Sequence, residues 1–263
     1  MNKPIVIKIG GAILDSDSQG DQPALTALLT VLASLANYPV VLVHGGGNVV
    51  DNMLAQAGFS TEKKQGLRVT PKAQMPIVSG ALAGNINKAI VASAASLKLP
   101  AVGLSLVDGQ MVRCQLNPLP LGQVGVPKPY SSALLDTLLK ANFLPIVSSV
   151  GALENGELVN INADDAAVAI CKLLNADLLL LTDVNGVIGA RGEYLRSLDT
   201  EQAQQLIDGG VIAGGMIAKV NAALQAANEL RRSIAVASWQ SPEQIIDLLN
   251  GGSIGTRIEP SSR

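Results

Sequence analysis

Short runs of β-branched and apolar residues recur along this chain between longer stretches of helical periodicity, and that alternation restricts the fold more than any other feature. Such a rhythm is what a parallel sheet with crossover helices requires, because each parallel strand must be followed by a connection that returns across a sheet face. Strands are expected at 5–9, 40–43, 101–106, 144–150, 178–182 and 234–237. Helices are expected at 24–36, 48–56, 131–141, 166–174, 201–207 and 242–249, and a further one opens at Gly214 with Met216, Val220, Ala223, Leu224 and Ala227 as its apolar stripe. Between residues 110 and 129 the chain is rich in Pro and Gly and reads as a hairpin or small antiparallel excursion. Apolar residues make up 48% of the chain and charged residues only 15%, as expected of strands buried on both faces. The fold class is therefore α/β.

Several function classes drop out at once. A net charge of −2 and 2% aromatic residues leave neither a basic surface for phosphate backbones nor rings for stacking bases, so no nucleic-acid partner is expected. Cys114 and Cys171 lie far apart without metal-ligand spacing and read as small buried hydrophobes in a reducing compartment. Lys8 interrupts the first apolar run, which fails as a signal peptide, and no apolar run approaches the ~18 residues of a membrane span. A soluble, cytoplasmic protein with no membrane partner is the expectation.

Two glycine loops point to an anionic ligand. The first expected strand runs into Lys8-Ile9-Gly10-Gly11, and the second into His44-Gly45-Gly46-Gly47 followed by a helix. In open α/β sheets ligands sit beyond the carboxyl ends of strands, where backbone N–H groups and helix N-termini face the cleft, and adjacent glycines let a phosphate approach without meeting a Cβ. The standard nucleotide motifs are absent: no G-x-x-x-x-G-K-[ST] occurs, and Val50 stands where a dinucleotide fingerprint needs its third glycine. A hydrolase is excluded by order. Gly251-Gly252-Ser253-Ile254-Gly255 matches G-x-S-x-G in form, yet the sole histidine, His44, precedes the serine and already belongs to the glycine loop.

Lys219 falls in the first turn expected for the helix opening at Gly214. A cation at a helix N-terminus opposes the dipole unless an anion is bound nearby. Asn162 and Asp164 precede the helix expected at 166–174, so either is a candidate N-cap, and Asp164 is equally a candidate partner for two separated lysines.

Taken in order, Lys8-Ile9-Gly10-Gly11, His44-Gly45-Gly46-Gly47, Gly66-Leu67-Arg68-Val69-Thr70, Asn160-Ile161-Asn162-Ala163-Asp164, Thr182-Asp183-Val184-Asn185-Gly186-Val187 and Gly214-Gly215-Met216 with Lys219 resemble the amino-acid kinase family, and within it the N-acetylglutamate kinases. The resemblance covers essentially the whole chain. It implies an open αβα sandwich with a mostly parallel central sheet and two lobes, residues 1–176 for the acyl amino acid and dimerisation and 177–263 for ATP. It implies catalytic roles for Lys8 and Lys219 on the transferring phosphoryl group, with Asp164 orienting both. Gly46 and Gly47 would bind substrate through the backbone, Arg68 the α-carboxylate and Asn160 the acetamido end. ATP would lie by Gly10 and Gly11, along Asp183, Val184, Asn185, Gly186, Val187 and Ile188, and at the turn Val211, Ile212, Ala213, with Mg2+ carried on its phosphates and no protein metal site. The first strand begins near Ile5 without the extra N-terminal helix of hexameric, arginine-inhibited relatives, so a homodimer insensitive to arginine is expected. No room remains after Arg257 for the appended domains of aspartate or glutamate kinases.

The chemistry suits these residues. A γ-carboxylate with an ordinary pKa near ~4.3 is already a nucleophile at neutral pH and needs no general base. What the site must supply is positive charge for a largely dissociative transition state. The remaining alternatives are a kinase acting on glutamate, aspartate, carbamate or a nucleoside monophosphate, and a non-catalytic ligand sensor.

Overall fold

At the centre of the molecule is β1 (Ile5–Ile9), in which every side chain but that of Lys8 is buried. The computed structural model describes residues 2–14, 22–35 and 38–261. Helix α1 (Pro23–Ser34) leads to β2 (Val40–His44) and α2 (Gly47–Gln56). A short hairpin follows, β3 (Glu62–Lys64) and β4 (Leu67–Val69), and then one helical run: α3 (Met75–Ser79), a π-helical stretch Gly80–Ile86 and α4 (Asn87–Ser96). Next come β5 (Ala101–Ser105), β6 (Val112–Leu116), β7 (Val124–Pro129), α5 (Ala133–Lys140), β8 (Leu144–Ser148), β9 (Val150–Ala152) and β10 (Leu158–Ile161). The remainder is α6 (Ala163–Leu174), β11 (Asp177–Thr182), β12 (Ser197–Leu198), α7 (Thr200–Asp208), α8 (Gly215–Leu230), β13 (Ile234–Ser238), α9 (Gln244–Leu249) and β14 (Thr256–Ile258).

Eight strands form the main sheet in the order β12-β14-β13-β11-β1-β2-β8-β5, and all neighbours are parallel except β13 and β14. The excursion expected at 110–129 is the antiparallel pair β6 and β7, extended by β10 and β9 into a second, four-stranded sheet. Where one strand was expected over 144–150, the chain leaves the main sheet at Ser149, whose carbonyl accepts from Ile161 N–H at 3.0 Å, and Val150 starts β9 in the second sheet.

The period of two along each strand divides the core by sheet face. Ile5, Ile7 and Ile9 pack with α1, α2, the α3–α4 run and Ile245 of α9; Val6 packs on the other face with α5, α6, α7 and α8. That is a three-layer αβα sandwich. Each fully buried Ile of β1 contributes about 1.5–3 kcal/mol. Lys8 shares the face of Val6, which aims it at α6 and α8 rather than at α1 and α2. The α8 stripe forms as expected, with Val220, Ala223, Leu224 and Ala227 buried and Met216 packed against them.

Both cysteines are buried free thiols, and burial pushes Cys114 up to about 11 and Cys171 higher still. Helix α1 was expected to reach Ala36, a position outside the described residues. Among the described residues no helix is long and apolar enough to cross a membrane.

Candidate active site

Register brings the carboxyl ends of the central strands level. Ile9 lies opposite His44 on β2 and Leu181 on β11, so the loops opening at Gly10, Gly45 and Asp183 emerge side by side. Gly10 faces open space, and a Cβ on Gly11 would come 3.7 Å from the backbone nitrogen of Gly47, which shows how closely the two glycine loops approach. Gly46 is the N-cap of α2 and no side chain caps that helix. Its first-turn N–H groups, which have no intrahelical acceptors, are left to the cleft.

On the Val6 face, Lys8 Nζ stands 2.9 Å from Asp164 Oδ1, with both side chains about one-fifth exposed (18% and 22%). The sequence left open whether Asn162 or Asp164 caps the following helix. Asn162 does so, its side chain accepting from Asp164 N–H at 2.8 Å, which releases the Asp164 carboxylate to hold Lys8. Lys219 is the fifth residue of α8, at the start of the second turn rather than in the first. Its ammonium is ion-paired with Asp183, not with Asp164. The resemblance assigned both lysines to Asp164; in the structure Lys219 pairs instead with Asp183, directly after β11. The Lys219 ammonium beside Asp183 holds that carboxyl below the usual range. Lys8, Asp164 and Lys219 nevertheless line one cleft, together with Val184, Gly186, Val187 and Met216.

Beside this cleft Arg68, on β4, is nearly buried; its guanidinium pairs with Asp51 of α2 and donates to the Gly47 carbonyl at 3.1 Å. Asp51 is held below the ordinary carboxylate range chiefly by that guanidinium. Asn160, on β10, donates from Nδ2 to Thr70 Oγ1 at 3.2 Å, and the Thr70 hydroxyl donates to the Arg68 carbonyl at 3.1 Å. Arg68 and Asn160 are thus tied through one buried threonine.

The segment after β11 is fixed from behind. Val187 N–H donates to Thr256 Oγ1 at 2.8 Å, and a Cβ on Gly186 would come 2.7 Å from that same oxygen, so only glycine fits. Asn185 and Ile188 are exposed. At the turn before α8, Val211 and Ala213 are exposed whereas Ile212 is a core side chain. Both Val211 and Ile212 donate their N–H to the Leu206 carbonyl, so a ligand at this turn would meet carbonyls and the flanking side chains. A wider groove opens at the amino ends of the strands, among Pro4, Leu32, Tyr38, Pro100 and Phe143. It adjoins no glycine loop, and it is the carboxyl-end cleft that gathers the cations.

Residues 3–238 match the model of the amino acid kinase family. The chain belongs to that family. It is 69% identical over 259 residues to an acetylglutamate kinase from Colwellia psychrerythraea, covering 98% of each chain, and 47% identical over 259 residues to one from Proteus mirabilis, covering 97% of this chain and 99% of that one. The fold also matches a carbamate kinase from Giardia lamblia bound to AMP-PNP, with a TM-score of 0.67, 23% identity and 99% of both chains covered.

Within this kinase fold, sequence reasoning missed four supporting residues: Asp51, Thr70, Asn87 and Thr256. Each is an ordinary polar residue in a helix, loop or strand, and its role arises only from contact with a partner 17 to 90 residues away. Thr70 alone stood inside a quoted motif.

Proposed function

We propose that the chain transfers the γ-phosphoryl group of ATP to the γ-carboxylate of N-acetyl-L-glutamate, a step of arginine biosynthesis. The observation that carries this reading is the meeting of Lys8, held by Asp164, and Lys219 in one cleft beside the glycine loops, in a chain 69% identical to an acetylglutamate kinase.

A carboxylate oxygen attacks the γ-phosphorus as the bond to the β–γ bridging oxygen breaks, and the electron pair leaves with ADP. Nothing needs deprotonating, so no base is required. Lys8, from a fixed position, and Lys219, once freed from Asp183, supply positive charge to the transferring group, with the N–H groups of Gly10, Gly11, Gly46 and Gly47 adding oriented dipoles. Arg68 grips the α-carboxylate with two parallel donors, its rotamer set by Asp51 and the Gly47 carbonyl. Asn160 meets the acetamido end, one of its two Nδ2 hydrogens being taken by Thr70 Oγ1. The nucleotide lies along 183–188 and the turn 211–213.

Magnesium would arrive on the phosphates of ATP and neutralise their charge there; among the described residues no group of three or more His, Cys, Asp or Glu side chains gathers to hold a metal by protein ligands. Residues 1–176 form the acceptor lobe and 177–263 the nucleotide lobe. The active unit is a cytoplasmic homodimer insensitive to arginine, a reading that rests on the family resemblance and is tested by light scattering and arginine titration.

Incubation with ATP, magnesium and N-acetyl-L-glutamate, followed by hydroxylamine, should give ADP and a hydroxamate in equal amounts. ADP and hydroxamate formed only with glutamate, aspartate or carbamate would reassign the acceptor. Neither product with any of these would overturn the kinase reading.

A further inference from the structure

The sole histidine of the chain has no role in that chemistry, yet it is fully buried directly before the glycine loop. His44 Nε2 lies 3.0 Å from Asn87 Nδ2, and His44 Nδ1 lies 2.9 Å from the Gly45 carbonyl. The network around Asn87 fixes the roles of both nitrogens. Asn87 Nδ2 also faces the carbonyls of Ile146 at 2.9 Å and Leu104 at 3.3 Å, while its Oδ1 accepts from Lys88 Nζ at 3.1 Å. The amide nitrogen therefore points at His44 as a donor, Nε2 must accept, and the ring proton must sit on Nδ1, where it donates to Gly45. Burial holds this imidazole neutral, lowering it to about 4.

A trans peptide is planar, with its C=O and N–H pointing in opposite directions. Pinning the Gly45 carbonyl to a buried ring therefore aims the N–H of Gly46 away from that ring. Among the described residues neither the Gly46 nor the Gly47 N–H donates to another backbone group outside regular structure. Asn87 is delivered by the π-helical stretch Gly80–Ile86, which it follows directly, and the preceding Ile86 covers Gly46 so closely that a Cβ there would overlap its Cδ1. Residues 86 and 87 thus bracket the loop, one against Gly46 and one against His44.

We propose that His44 and Asn87 are positioning residues of the phosphoryl-transfer site: Asn87 orients the buried imidazole, and the Nδ1–H bond of that ring to the Gly45 carbonyl locks the Gly45–Gly46 peptide so that the Gly46 N–H is presented to the anionic acceptor. This rests on the reading of Gly46 and Gly47 as substrate donors. The two halves of the contact can be separated, because an asparagine side chain places its nitrogen near the position of Nδ1, whereas a glutamine places its oxygen near that of Nε2. His44→Asn keeps the bond to Gly45 and loses the one to Asn87; His44→Gln does the reverse.

Both variants should lose thermal stability. KM for N-acetyl-L-glutamate should rise about tenfold in His44→Gln, the worth of one aligned hydrogen bond, and less than about threefold in His44→Asn. Equal KM values in the two variants would reduce the contact to a structural one and overturn the proposal. An independent measurement uses the wild type, whose single imidazole makes the 15N spectrum unambiguous. Nδ1 should be protonated and Nε2 bare, unchanged between about pH 5.5 and 8. A proton on Nε2, or a titration near the ordinary 6.5, would overturn it whatever the acceptor proves to be.

Discussion

Lys8 and Lys219 enter the same cleft from a strand and a helix and are held in unlike ways. Lys8 rises from a strand flanked by β2 and β11, and its pair with Asp164 is only about one-fifth exposed. Lys219 projects from the second turn of a helix whose N-cap, Gly214, makes no side-chain cap, and its pair with Asp183 is about half exposed (42% and 51%). A pair shielded from water resists exchange, whereas an exposed one is worth about 0–1 kcal/mol and yields readily to a phosphate. In the proposed reaction Lys8 would therefore be in place before any ligand arrives, and Lys219 would be recruited as the nucleotide displaces Asp183.

Removing either lysine breaks that comparison at its strongest point. Single donors to a developing anion are worth about 10² to 10³ in turnover. With saturating substrates, Lys8→Ala should fall at the upper end of that range and Lys219→Ala at the lower. Near wild-type kcat in either variant removes that lysine from the machinery, and a larger loss in Lys219→Ala reverses the assignment of fixed and recruited charge.

Adjoining the fixed side, Asp165 sharpens the contrast by stability. Its carboxyl is raised to about 6, first by burial and then by the charges of Glu229 and Asp164, with Lys172 partly opposing. A carboxyl raised in this way binds its proton more tightly folded than unfolded, so its contribution is greatest below pH 3.8 and is lost as pH rises through about 6. At pH 8 the charged form opposes folding by up to about 3 kcal/mol. Asp165→Asn should raise the Tm at pH 8 and close much of the gap to pH 5; a variant no more stable than wild type at pH 8 shows that the carboxylate is better solvated than its surroundings imply.

Arg68 belongs to the fixed side too, since Asp51 and the Gly47 carbonyl hold it before substrate binds. Lysine cannot reproduce two parallel donors, and Arg68→Lys should raise KM for N-acetyl-L-glutamate about tenfold with kcat nearly unchanged. An unchanged KM refutes the α-carboxylate assignment.

How far the sequence revealed this arrangement follows the same division. β1, β2, β11 and β13, and the helices α2, α6 and α8, were readable because strands buried on both faces must be apolar and amphipathic helices must repeat every three or four residues. Helices over 72–96 escaped because Pro76, Gly80 and Gly84 weaken helix propensity and the π-helical stretch shifts the apolar spacing. The β3–β4 hairpin escaped because Glu62, Lys63 and Lys64 are all exposed and show no alternation. In the site, Lys8 was legible as a charge just before the first glycine pair, at the end of an apolar strand. Asp183 as the partner of Lys219 was not, because an exposed pair spanning 36 residues leaves no pattern in either segment.

Asp183→Asn should have the smallest effect, and it addresses recruitment directly. If the exposed pair only parks Lys219 until phosphate arrives, losing it forfeits little, because an exposed ion pair contributes about 1 kcal/mol at most. The amide still accepts a hydrogen bond from the Lys219 ammonium. Turnover should stay within about threefold of wild type, and KM for ATP should hold or fall slightly, since the ammonium no longer has to leave a carboxylate. Raising ionic strength, which screens exposed charges first, should narrow even that difference. A tenfold loss of kcat would mean that Asp183 acts on the nucleotide itself, and the distinction between a preset and a recruited lysine would fail.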